Sequence, residues 1–103
     1  MSKISLLAKL TINEGANADF EAALVALTEA AAEEAGLEIY AAHKDTSSDT
    51  TYWFYELYTD DAALGVHGKG DGMKAAMNAL GSFLAGAPEI TMLSPVVAKG
   101  LSF

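Results

Sequence analysis

Residues 51–58 read Thr-Tyr-Trp-Phe-Tyr-Glu-Leu-Tyr, a nearly unbroken run of side chains that favour β-strands. Because successive residues of a strand point to opposite faces of a sheet, this strand would be apolar on both faces. One face carries Trp53, Tyr55 and Leu57, and the other carries Tyr52, Phe54, Glu56 and Tyr58. A strand of this kind indicates a sheet that is covered on both sides.

The residues before this run predict a strand, a helix and a second strand. Residues 4–12 show partial period-two patterning, which is typical of a strand. Apolar residues at helical spacing predict a helix over residues 17–35, with Asn17 as its N-cap and Gly36 as a left-handed residue after its end. Residues 37–44 predict the second strand, which a polar turn joins to the aromatic run as a hairpin.

The residues after the run predict two further helices and a last strand. Asp60 or Asp61 caps a short helix, which the glycine cluster at residues 68–72 interrupts. A later helix is predicted over residues 73–86, and residues 89–94 predict the last strand.

This element order predicts an α+β fold in a single domain, residues 1–103. The order β-α-β-β-α-β in so short a chain is typical of a ferredoxin-like antiparallel sheet with the helices on one face. Helices on one side leave the other apolar face of the sheet uncovered. We therefore expect a homodimer in which two copies pack through that sheet face.

The charge balance excludes several classes of partner. The chain has 6 lysines and no arginine against 14 acidic residues, for a net charge of -8. A nucleic-acid-binding protein needs a basic face, and so does a surface for anionic membranes, so neither partner is expected. The chain has no cysteine, which excludes disulfides, thiolate metal sites and thiol catalysis. With no apolar stretch long enough to span a membrane, a cytoplasmic location is the default expectation.

Glu56 is the most unusual residue of the central run. A carboxylate among aromatic side chains must be paired, hydrogen-bonded or neutralised by a raised pKa. It would serve either as a proton acceptor in an aromatic pocket or as a fixed structural acceptor for a neighbouring hydroxyl, imidazole or backbone group. Both readings remain open from the residues alone.

The two histidines are the other candidates for acid–base chemistry. His67 precedes the glycine cluster and could exchange a proton near neutral pH, or could bond a carbonyl at a helix end and be inert. His43 shares its strand parity with Ile39 and Ala41, and a purely structural role is the simpler interpretation. The spacing of the histidines and Glu56 matches no metal-ligand motif, so no metal site is expected.

The whole pattern resembles the antibiotic biosynthesis monooxygenase family of dimeric α+β barrels. The resemblance extends from Leu7 to about Pro95. It is carried by short segments in the family's order and spacing: Asn13-Glu14-Gly15, Gly36-Leu37 with Tyr40 and His43, Phe54-Tyr55-Glu56-Leu57-Tyr58, Asp60-Asp61-Ala62-Ala63-Leu64-Gly65-Val66-His67, and Pro88-Glu89-Ile90.

This resemblance implies a dimeric protein with a pocket between sheet and helices in each protomer. Family members include oxygenases that use neither metal nor flavin, and so no cofactor is expected. His67 matches the family's helix histidine and Glu56 its strand glutamate, which implies that they are the catalytic pair. Phe54, Tyr58 and His43 match positions that line the substrate pocket, with Phe54 standing where some oxygenases have asparagine and Tyr58 where tryptophan is usual.

The resemblance predicts a cofactor-independent monooxygenase of a small phenolic or quinol-like aromatic substrate. Two alternatives stay open at this stage. One is an isomerase of a small polar metabolite that uses the same acid–base pair. The other is a dimeric ligand-binding or stress-related module without catalytic activity.

Overall fold

The computed structural model describes residues 2–69 and 71–103, with the side chains of 66–73 and 76 outside the description. The elements are β1 (Ile4–Thr11), α1 (Asn17–Ala31), β2 (Leu37–Lys44), β3 (Thr51–Tyr58), α2 (Asp61–Lys69), α3 (Asp71–Gly81) and β4 (Glu89–Leu93). The four strands form one antiparallel sheet in the order β2-β3-β1-β4. This arrangement confirms the predicted ferredoxin-like α+β fold.

The main core lies between the helices and one face of the sheet. Helix α1 contributes Phe20, Leu24 and Leu27, whose spacing of four and three residues puts them on one helix face. The ring of Phe20 lies 4.7 Å from the ring of Tyr52, at a tilt of 55°. Thus the face of β3 that carries Tyr52, Phe54, Glu56 and Tyr58 is the one that packs against the helices.

The start of α1 differs from the sequence prediction. The N-cap is Ala16, which makes no side-chain capping bond, and Asn17 is already helical. The amide of Asn17 instead donates to the backbone carbonyl of Asp49 at 2.6 Å and to the hydroxyl of Tyr52 at 3.0 Å. The predicted capping role of Asn17 was wrong because its side chain ties the helix to the β2–β3 turn.

The prediction that Gly36 adopts a left-handed conformation after the end of α1 was also wrong. Its backbone does not adopt the left-handed conformation, which among glycines of the described chain occurs at Gly15 and Gly100. A Cβ atom at position 36 would instead overlap the Cβ of Ala63 at the start of α2. Position 36 therefore requires glycine because α2 approaches the chain closely there.

The helical region after β3 begins as expected and ends early. The Asp60 carboxylate accepts a hydrogen bond from the Ala63 N–H at 2.9 Å, as an N-cap should. Helix α3 ends at Gly81 rather than near Gly86, because the following segment pairs with the end of β1. There the N–H groups of Asn13 and Ala85 donate to the carbonyls of Phe83 and Thr11, respectively.

The chain after β4 crosses back toward the start of β1. In residues 94–103 the described backbone forms neither helix nor strand. The carbonyl of Ser102 accepts a hydrogen bond from the Lys3 ammonium at 2.8 Å, and the same ammonium bonds Glu38 at 2.8 Å. None of the helices in the described residues combines the length and the apolar character that crossing a bilayer requires.

Replacing Gly36 with alanine should destabilise the fold. The added methyl would overlap the Ala63 side chain, and relieving such an overlap costs about 1–3 kcal/mol of the free energy of unfolding. Urea denaturation measures the change. The matched control is Gly65→Ala in α2, where a new methyl meets nothing within 4 Å and should stabilise the helix by up to about 1 kcal/mol. Equal stability of Gly36→Ala and the wild type would contradict the close approach.

Candidate functional site

A pocket of about 260 Å³ lies between the sheet and helices α2 and α3. Leu64 of α2 and Leu80 of α3 form part of its helical wall, and Pro88 and Ile90 close it near β4. The sheet supplies residues from all four strands, namely Leu6, Ala8, Leu10, Tyr40, Phe54, Glu56, Tyr58 and Ile90. Mostly apolar walls with a few polar groups are typical of small-molecule sites.

Among the described side chains that line this pocket, Glu56 is the one that carries an ionisable carboxyl group. It lies on the central strand β3, opposite Leu6 of β1 and Tyr40 of β2, and it is buried. The hydroxyl of Tyr58, two residues along the same strand face, donates a hydrogen bond to Oε1 of Glu56. The strand alternation that buries Tyr58 therefore also presents a carboxylate to the pocket.

The two tyrosines of the pocket are poor acids. Burial raises the pKa of Tyr58, and Glu56 raises it further through the hydrogen bond it accepts and through its charge. Burial also raises the pKa of Tyr40, with smaller contributions from the charges of Glu56 and Glu34. Both phenols therefore keep their protons at neutral pH, where they can donate hydrogen bonds but cannot serve as bases.

The structure brings three of the five predicted site residues together with described side chains. Phe54, Glu56 and Tyr58 all line the pocket. His67 belongs to α2, the helix that also contributes Leu64, but its side chain lies outside the described residues.

His43 does not join the Glu56 pocket. In the antiparallel register of β2 with β3 it stands opposite Trp53, and cross-strand neighbours share a face of the sheet. Trp53 and Glu56 are three residues apart on β3, so His43 lies on the face away from the core, where it is exposed. The parity argument correctly grouped it with Ile39 and Ala41, but that face is not the one that the helices cover.

Tyr40 is a pocket residue that the sequence prediction did not include. Its ring lies 5.5 Å from the ring of Phe54, tilted by 58°. Its place opposite Glu56 follows from the β2–β3 register, which is regular from Ile39 to Lys44 and pairs Lys44 with Tyr52. A symmetric turn over residues 45–50 would pair Lys44 with Thr51 instead and shift every partner by one residue, which explains why the pairing was missed.

A second, more open hollow of about 810 Å³ lies between α1 and the edge strand β2. Its walls include Leu24, Val25 and Thr28 of α1, and Tyr40 and Ala42 of β2. Across the residues with described positions, no group of three or more histidine or acidic side chains is arranged to hold a metal ion.

The raised pKa values predict how stability depends on pH. An unfolded tyrosine loses its proton near pH 10, whereas folded Tyr58 and Tyr40 keep theirs to higher pH. The unfolded state then binds fewer protons than the folded state, so the free energy of unfolding should fall above about pH 10, by up to about 1.4 kcal/mol per pH unit for each such tyrosine.

Urea denaturation at several pH values between about 8 and 11, the range in which an unfolded tyrosine titrates, measures this slope. Tyr58→Phe should flatten the fall, because the buried phenol no longer titrates in either state. The same variant compared at neutral pH separates this effect from the loss of the Glu56 hydrogen bond. An unchanged slope in Tyr58→Phe would contradict the assignment.

Comparison with known proteins places this architecture in a family. The profile of the antibiotic biosynthesis monooxygenases matches residues 3–79. A provisionally assigned antibiotic biosynthesis monooxygenase from Caulobacter crescentus is 33% identical, with a TM-score of 0.89 over 93% of this chain and 92% of that one.

Two more distant structures share the fold alone. A variant of SnoaB, a cofactor-independent oxygenase from Streptomyces nogalater, is 17% identical with a TM-score of 0.85, over 98% of this chain and 100% of that one. A conserved protein from Methanosarcina mazei is 22% identical with a TM-score of 0.85, over 90% and 92% of the two chains. No curated protein shows significant sequence similarity to the chain. The family profile and the Caulobacter relative together establish that the chain belongs to the antibiotic biosynthesis monooxygenase family.

Proposed function

We propose that the protein is a cofactor-independent monooxygenase of a small phenolic or quinol-like aromatic compound. The observation that carries the proposal is the buried Glu56 carboxylate, hydrogen-bonded by Tyr58, in the wall of a largely apolar pocket. The oxygenase function described for SnoaB supports the reaction class, on the basis of a shared fold.

An apolar pocket of this kind favours a flat aromatic ring with one or two hydroxyl groups. The ring of Phe54 and the aliphatic side chains of Leu64 and Leu80 supply apolar contact. A substrate hydroxyl could donate to Glu56 or accept from a protonated tyrosine, since the pKa values of Tyr40 and Tyr58 are raised.

We assign proton transfer to His67 and Glu56. The protonated phenols of Tyr40 and Tyr58 cannot accept a proton at neutral pH, which leaves the carboxylate and the imidazole as the bases. Leu64 lines the pocket, and residues three apart on a helix generally share a face, which is the reason to assign His67 to the same site. Glu56 would then orient the imidazole or hold the substrate hydroxyl.

The proposed reaction balances with dioxygen as the oxidant. Removing the phenolic proton makes the aromatic ring electron-rich, and the ring carbon para to the oxygen then reduces O2 and bonds to it. The resulting hydroperoxide loses one water molecule and becomes a quinone, so one phenol and one O2 yield one quinone and one H2O. Excluding bulk water from the pocket protects the reactive anion from unproductive protonation.

We also propose that two copies pair through the sheet face opposite the helices, here called the open face. Half-buried apolar side chains line it in the protomer, including Leu7, Ile39, Trp53 and Tyr55. Tyr55 bonds Ser5 across the face at 3.1 Å, and Lys9 lies 5.6 Å from the centre of the Trp53 ring. A contiguous apolar surface of this kind favours a protein partner, and a second copy is the simplest one.

Oxygen consumption with 1-naphthol tests the proposed reaction. The wild type should consume one O2 per quinone formed, and Glu56→Gln and His67→Gln should each lower kcat by about a hundredfold or more, as expected for loss of a general base. Glu33→Gln, which changes an exposed carboxylate beyond α1, is the matched control and should retain the wild-type rate. Wild-type rates in both site variants would exclude the assigned pair.

Incubation with 1-naphthol under anaerobic conditions tests whether dioxygen is the oxidant. Removal of O2 should abolish turnover, because the proposed reaction consumes one O2 per quinone. Product formation from 1-naphthol that persists without O2 would contradict the oxygenase reaction.

Sedimentation velocity tests the pairing through the open face. Leu7→Lys introduces a charge at the centre of that face and should convert a dimer into a monomer, since an unpaired charge in an interface costs several kcal/mol. Val25→Lys is the control, because Val25 is exposed on α1 and lies far from this face. Dimers of equal stability in both variants would exclude the open face as the interface.

A further inference from the structure

Tyr40 separates the two hollows of the protein. Among the described residues, it is the one that lines both the 260 Å³ pocket around Glu56 and the 810 Å³ groove between α1 and β2. The two hollows lie on the same side of the sheet, because Ala42, which lines the groove, stands opposite Phe54, which lines the pocket.

The groove beyond Tyr40 has both short and long side chains in its walls. Ala32 of the segment after α1 and Ala42 of β2 line it, together with larger residues of α1 such as Leu24 and Thr28. The Tyr40 ring itself rests against the Phe54 ring, with 5.5 Å between centroids, and packs against the core. The Tyr40 ring therefore lies between the Phe54 ring and the groove.

The inner pocket is small for an enzyme substrate site. Pockets for drug-sized ligands generally measure about 300–1,000 Å³, and the inner pocket lies below that range. A three-ring or four-ring compound needs a longer site than a one-ring or two-ring compound, and the groove beyond Tyr40 is the neighbouring hollow that could provide this length.

We propose that Tyr40 is a specificity-determining residue that limits the ligand to one or two fused rings by closing the inner pocket toward the groove. The proposal rests on the proposed function, in that it takes the Glu56 pocket as the ligand site. Removing the ring joins the two hollows and creates a longer site that admits three fused rings. The phenolic hydroxyl of Tyr40 is not needed for this limit, because the ring alone forms the wall.

Equilibrium binding of two probes, 1-naphthol with two rings and 1-anthrol with three, tests the limit under anaerobic conditions so that no turnover occurs. The variants are Tyr40→Ala and Tyr40→Val, the second retaining a residue that favours strands in case alanine prevents folding. Tyr40→Phe is the matched control, because it keeps the ring and removes only the hydroxyl. Circular dichroism verifies that each variant is folded.

The wild type and Tyr40→Phe should bind 1-naphthol at least about tenfold more tightly than 1-anthrol, a discrimination that steric exclusion from an apolar pocket can provide. Tyr40→Ala and Tyr40→Val should reduce this preference to about twofold or less by gaining affinity for 1-anthrol. An unchanged ratio in folded Tyr40→Val would overturn the proposal while leaving the proposed function intact.

The binding pattern also separates failure of the proposed function from failure of this inference. If the wild type binds neither probe and Tyr40→Val gains 1-anthrol, the wall at Tyr40 is supported and the substrate class is wrong. If neither protein binds either probe, both the substrate class and the size limit are overturned.

Discussion

The burial of Glu56 within the central strand β3 constrains the rest of the site. A carboxylate placed among aromatic rings needs hydrogen-bond donors, and the Tyr58 hydroxyl on the same strand face provides one. Both residues point toward the helices because β3 alternates strictly, so neither can be moved without reversing the two faces of the sheet. The strand that carries Glu56 and Tyr58 also forms part of the core. A substitution at either residue is therefore expected to change both the polar groups of the pocket and the free energy of unfolding.

The polar groups of the pocket differ in their hydrogen-bonding roles, because their electrostatic environments differ. Burial and the charge of Glu56 raise the pKa values of Tyr40 and Tyr58, which keeps both phenols as donors over the neutral range. Among the described polar groups of the pocket walls, Glu56 is then the one that accepts hydrogen bonds through a carboxylate. A substrate with an ionisable hydroxyl is complementary to such a set, since it can lose its proton to a base and receive hydrogen bonds from the phenols.

The sequence predicted the fold well because the informative signals were local. Alternation along 51–58 and helical spacing around Phe20 were enough to assign these elements and to separate the two faces of β3. Errors arose where tertiary contacts decided the outcome. Asn17 bonds a distant turn, and Gly36 faces Ala63 across space. Neither partner can be inferred from neighbouring residues in the chain.

The site was predicted less completely than the fold, for a related reason. Glu56, Phe54 and Tyr58 share one strand face, which parity groups together, and the family resemblance assigned them to a pocket. Parity alone would not have sufficed, because Tyr52 has the same parity and lines the other hollow. Tyr40 and His43 lie on a different strand, and their positions depend on how the turn sets the register of β2 against β3, which pairs Tyr40 with Glu56 and His43 with Trp53. Parity within β2 cannot tell which of its faces matches which face of β3.

The sheet order has a consequence for newly synthesised chains. Strands β2 and β4 are outermost, and each has a neighbour in this sheet on one side only. On the edge strand β4 the side chains of Ile90, Met92 and Leu93 are 61%, 48% and 38% exposed, so this border of the sheet is also apolar. Backbone groups along such a border can template addition of a foreign strand. The β4 border is therefore the place where unwanted strand addition between chains would begin.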